Sequence, residues 1–200
     1  PATPAALRDP PVAANVTQDP RGEPVIVYAA AKGTTRGAYV VRRRDGALGH
    51  PARVAEGGTI EGVEVSPDEH LHLLLLTAGA QSGASLRYLR LDAALGTVLD
   101  EPVAEGAAIQ AALGLDGEGA AALAVVEPAR LVLQRWPARP GPPAQVSAGR
   151  AFAPRARPRV ALAFEAGGPV VYSTDGPRLL RAWPDAGWTR LEVEELEVPG

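Results

Sequence analysis

Three arginines, Arg155, Arg157 and Arg159, stand at alternate positions in the run APRARPRVA. In an extended chain, alternate side chains project to one side. Three guanidiniums on one side can clamp a carboxylate, phosphate or sulfate through paired N–H donors. The same spacing also suits a solvated connector, which is the common fate of a charge run. Four other polar residues, Asn15, Glu61, Glu64 and Gln110, interrupt runs of small and apolar residues. Around a common channel they would bind a ligand or a cation. At strand ends they would only meet water. His70 and His72 are two residues apart, with Asp68 nearby. Zinc needs three or four ligands, and the only other histidine is His50, so neither a metal nor a cofactor is expected. Cysteine is absent, which excludes disulfides, thiolate metal sites and a cysteine nucleophile.

Other chemistry-bearing groups read more plainly as structure. Arg42, Arg43 and Arg44 precede an Asp45-Gly46 turn and fit a wet hairpin tip. Trp136, Trp183 and Trp188 resemble a sugar-stacking platform by type, but their places at strand ends suit packing between sheets. Glu192, Glu194, Glu195 and Glu197 fit an exposed outer strand, whose charge keeps a sheet edge from pairing with another chain.

The elements that must position these residues recur four times. Asp19, Asp68, Asp116 and Glu165 follow one another at 49, 48 and 49 residues. Runs beginning at Tyr39, Leu86, Leu131 and Leu179 follow at 47, 45 and 48. A closing pattern reads ARVAEGG from Ala52, EPVAEGA from Glu101 and AQVSAGR from Ala144. Each copy holds four short runs rich in Val, Leu and Tyr, bounded by Gly, Pro and Asp, which is the signature of strands and turns. Four strands in a repeat of roughly 40–50 residues point to propeller blades. The first run of each copy carries Ala and Gly, which suits an innermost strand where sheets converge.

The expected fold is therefore all-β: a β-propeller, or part of one, of four repeats with four antiparallel strands each. The repeats span about 12–58, 59–107, 108–152 and 153–198, behind a Pro/Ala-rich linker at 1–11. A β-sandwich shares the short strands but does not predict a fourfold repeat. Four copies can close as a small ring, form part of a larger one, or pair with a second chain.

The chain has 200 residues and a net charge of −3. That balance gives no general attraction to nucleic acid or anionic membrane. No apolar run approaches the ~18–20 residues of a membrane helix. Methionine is absent even at position 1, so the chain is expected to be processed from a longer precursor, whose other domains are candidate partners. Arginine outnumbers lysine nineteen to one, and Ala, Pro and Gly abound, as in the proteins of GC-rich bacteria.

The repeat resembles the degenerate propeller repeats of sialidase-like bacterial surface proteins. The matching features are a first strand ending in an acidic residue, a glycine turn (Gly22, Gly117, Gly167), a second strand ending in an aromatic (Tyr28, Tyr172) and Gly187-Trp188 before the outer strand. Ser173-Thr174-Asp175 begins the sialidase Asp-box, but Pro177 stands where its glycine belongs. The resemblance implies an extracellular or periplasmic location. It also draws notice to Arg159, Tyr172 and Glu165, which are the residue types of the sialidase arginine and Tyr–Glu pair. The expected function is a non-catalytic propeller that recognises a partner protein or glycan through its faces or channel mouth. The alternative is a sialidase-like enzyme, with the Arg155–Arg159 cluster holding a substrate carboxylate.

Overall fold

The computed structural model describes residues 13–30, 36–44, 46–78, 84–106, 110–127, 130–139, 141–149, 159–175 and 177–197. All regular structure among them is β, so no helix is long and apolar enough to cross a membrane. The strands form four antiparallel sheets, each in chain order. Sheet 1 comprises β1 (Ala13–Gln18), β2 (Pro24–Ala30), β3 (Gly37–Arg44), β4 (Ala47–Leu48) and β5 (Ala52–Ala55), with β4 and β5 both pairing β3. Sheet 2 comprises β6 (Thr59–Val65), β7 (Leu71–Ala78), β8 (Ala84–Leu91) and β9 (Thr97–Gly106). Sheet 3 comprises β10 (Gln110–Leu115), β11 (Ala121–Glu127), β12 (Arg130–Trp136) and β13 (Ala144–Gly149). Sheet 4 comprises β14 (Val160–Glu165), β15 (Gly168–Asp175), β16 (Arg178–Pro184) and β17 (Leu191–Leu196). The sixteen expected strands are all present; the short β4 is an addition.

The chain divides into two compact units, Pro1–Glu105 and Gly106–Gly200. In the first, Val25, Val27 and Val40 of sheet 1 pack on Leu71, Leu73, Leu75, Leu89 and Leu91 of sheet 2. In the second, Ala122, Ala124, Leu131 and Leu133 of sheet 3 pack on Val171, Ala182 and Leu191 of sheet 4. These residues alternate along their strands, so one face of each sheet enters the core. The first strands come closest. A Cβ added to Gly114 on β10 would lie 2.6 Å from a Leu162 methyl and 3.3 Å from the Phe164 ring, both on β14. The absence of a side chain at Gly114 has its reason here.

One turn design recurs. Asp19, Asp92, Asp116 and Asp185 each accept two backbone N–H bonds on Oδ1 from residues just ahead. The fourth residue of each turn donates its N–H back to the first carbonyl. That fourth residue has positive φ: Gly22, Leu95, Gly119 and Trp188. This is a type I turn closed by a left-handed residue. In sheet 2 the same place is held by Ser66, with Glu69 at φ 64 as its fourth residue. The structural counterpart of Asp19 and Asp116 is thus Ser66, and Asp68 is the third residue of its turn. Trp188 likewise lies in a turn, and β17 begins at Leu191. Replacing Asp116 with Ala removes a charged acceptor from two backbone donors. We expect a loss of ~1–2 kcal/mol in a denaturant titration; a change below a few tenths would mean that water replaces the carboxylate without penalty.

Candidate functional site

The seven residues singled out from sequence take different places. Arg155 and Arg157 lie outside the described residues. Arg159 is exposed ahead of β14, and its backbone exchanges bonds with Thr174: its N–H reaches Thr174 Oγ1 at 2.9 Å and its carbonyl accepts the Thr174 N–H at 3.0 Å. Asn15 donates from Nδ2 to the Ile60 carbonyl at 3.3 Å, tying β1 to β6. Gln110 Oε1 accepts the Val160 N–H at 3.2 Å, tying β10 to β14. In each unit an amide side chain thus stitches one first strand to the next. Glu61 is exposed at the irregular step of β6. Glu64 is half-buried opposite His72. Burial raises the pKa of both carboxyls.

The histidines separate. His70 lies in the turn ahead of β7, with Nδ1 2.8 Å from Asp68 Oδ2. His72 is on β7, 1% exposed, with Nδ1 2.6 Å from the Tyr88 hydroxyl. Burial, and then the positive charges of Arg90 and His70, hold His72 down to about 3 against a weaker opposing pull from Asp68. It is therefore neutral near pH 7. The described residues contain no group of three His, Asp or Glu arranged for a metal.

In the Arg42–Arg44 run Arg42 is half-buried, while Arg43 and Arg44 are exposed as a wet tip requires. Arg42 Nη2 donates to the Glu69 carbonyl and Arg44 Nη2 to the Ala93 carbonyl, each at 3.3 Å. Both contacts bind sheet 1 to turns of sheet 2. Arg43 lies 3.8 Å from Glu23. Of the tryptophans, Trp136 is 7% exposed, Trp188 packs against the core of the second unit, and Trp183 carries Arg181 over its ring at 4.8 Å.

Among the described residues, two places carry chemistry. On sheet 4, Tyr172 donates its hydroxyl to Glu165 Oε1 at 2.6 Å, and Arg181 binds the other Glu165 oxygen and Glu194. The Tyr172 hydroxyl, with Arg181 after it, holds the Glu165 carboxyl below its usual range. Tyr172 moves the other way, raised chiefly by donating to Glu165. The hairpin register explains the meeting. Glu165 faces Gly168 and Tyr172 faces Ala161, so Tyr172 and Glu165 share one face. The same register continued through Thr174 puts Arg159 on that side. Gly167-Gly168 was the available signal, because a tight turn there fixes which residues face each other.

The second place is a cavity of about 470 Å³ in the first unit. β5 and the turn after it line one side, and β7, β8 and β9 line the other. Val54, Ala55, Leu75 and Leu89 line it with apolar surface. Arg36, Glu56, Arg87 and Asp100 supply its charges, and Gly57 and Gly58 its backbone. Arg87 is held by Asp100 through Nε at 3.0 Å and Nη2 at 2.6 Å. Arg53 donates to the Arg36 carbonyl at 2.7 Å and so fixes that end of β3. Gly58 is required here: its φ is 115°, and a Cβ would lie 2.9 Å from the Leu76 carbonyl oxygen. None of these residues was singled out from sequence, because the space is lined by residues of two sheets that lie far apart in the chain.

No family model matches this chain, and no curated protein does. The functional reading rests on the chain's own geometry.

Proposed function

We propose that this chain is a non-catalytic β-propeller binding module, its four sheets serving as blades. The fourfold meander and the approach of first strand to first strand in each unit support the propeller. The observation that carries the binding reading is the cavity of about 470 Å³ beside β5. Its size falls within the ~300–1,000 Å³ of ligand pockets. It joins an apolar floor to a charged rim, which favours holding a ligand over transforming one. None of its described lining residues pairs a nucleophile with a base.

A second reading has one contact in its favour. The Tyr172–Glu165 hydrogen bond is the pairing a tyrosine nucleophile needs, with Arg159 on the same side of the sheet. The two readings part in one experiment. The protein is offered a fluorogenic sialoside and, separately, peptide and glycan arrays. Specific array binding that Arg36→Ala weakens, without turnover, supports the binding module. Turnover that Tyr172→Phe abolishes would replace it with the enzyme.

A further inference from the structure

We infer that the cavity beside β5 takes an extended peptide segment with an aliphatic side chain and an acidic group. The inference rests on the binding-module reading and names the ligand class. The floor is branched and aliphatic, and no aromatic ring stands among its described lining residues. A sugar ring gains most from a flat aromatic face, and an aliphatic side chain gains most from this floor.

The rim sorts by what is already spoken for. Arg87 and Asp100 satisfy each other. The Arg36 guanidinium lies over Gly57 and pairs with no carboxylate among the described residues. Glu56, also on the rim, pairs with no cation among them. One unpaired cation and one unpaired anion thus flank an aliphatic floor. A guanidinium offers two parallel N–H donors to a carboxylate, and Glu56 accepts from an ammonium or a backbone N–H. β5 pairs with β3 alone among the described strands. Its other edge leaves backbone groups that an extended peptide can pair with.

The test follows the Gly57 and Gly58 amide resonances of the full chain by NMR. Three probes are titrated: the zwitterionic tripeptide Leu-Leu-Leu, its acetylated amide and glucuronate. We expect Leu-Leu-Leu to shift both resonances, and its capped form to bind at least about tenfold more weakly. Arg36→Ala should weaken the tripeptide about tenfold, with Arg36→Lys between, since lysine keeps the charge but loses the paired donors. Shifts from glucuronate without shifts from the tripeptide would sink the peptide inference and leave a binding groove. An unchanged affinity in Arg36→Ala would overturn the assigned anchor. Silence from all three probes would remove the groove as a site altogether.

Discussion

Acidification is expected to weaken this protein steadily below pH 6.5, and His72 is the reason. In the unfolded chain a histidine titrates near 6.5. In the fold, His72 is buried against Tyr88 and held down to about 3. Between those values the unfolded chain binds a proton that the folded chain refuses. The contribution is therefore complete above pH 6.5 and falls as pH drops through that window. The slope approaches ~1.4 kcal/mol per pH unit, or roughly 3 kcal/mol by pH 4. Other groups respond to acid as well. Asp68, Asp185 and Glu165 lie below their usual values and lose stabilisation on acidification, while Glu61 and Glu64 lie above theirs and act oppositely. The comparison that isolates His72 is His72→Gln, which does not titrate and keeps a polar atom toward Tyr88. Its stability deficit relative to the parent should shrink, or reverse, as pH falls from 7 to 4. Parallel curves would mean that His72 gains its proton inside the fold.

Deleting one leucine from either core should have a comparable effect. Leu73 and Leu133 are both 0% exposed, one in each unit. Truncation to Ala loses the transfer energy of the side chain and leaves a cavity, together ~2–5 kcal/mol. Leu48 on β4 is 63% exposed, so Leu48→Ala is the control, expected within about 0.5 kcal/mol of the parent. Denaturant midpoints at constant slope measure all three. If Leu48→Ala costs as much as Leu73→Ala, that leucine has a contact in solution that its exposure does not register.

Much of the fold was legible because its signals are local. Alternation of apolar residues, with Gly, Pro and Asp between runs, located sixteen strands to within a few residues. The period was legible too, although one landmark was misplaced. Asp68 kept a spacing close to that of Asp19 and Asp116, yet Ser66 occupies their structural place. The turn starts two residues earlier, at Ser66, whose carbonyl accepts the Glu69 N–H and whose hydroxyl donates to Asp68 and the His70 carbonyl, and spacing alone does not distinguish the two starts. Leu95, Glu69 and Trp188 show the same limit. Glycine is the ordinary mark of a left-handed position, but three larger residues are held there by the bonds around them.

The side-chain roles were less legible. Asn15 and Gln110 stood out as polar residues in apolar runs, which is how a ligand site looks in one dimension. In three dimensions each meets a backbone group of the next first strand. Arg42 and Arg44 reach turn carbonyls of the neighbouring sheet, a contact that depends on how sheets pack. The sequence by itself determined an all-β chain of four similar meanders, because strand and turn preferences act over a few neighbouring residues. Only the tertiary structure decided that Tyr172 meets Glu165, that His72 is sealed from water, and that a cavity opens beside β5. Those outcomes depend on register, on burial by a second sheet and on which residues of two sheets come together, and each joins residues that no short-range preference connects.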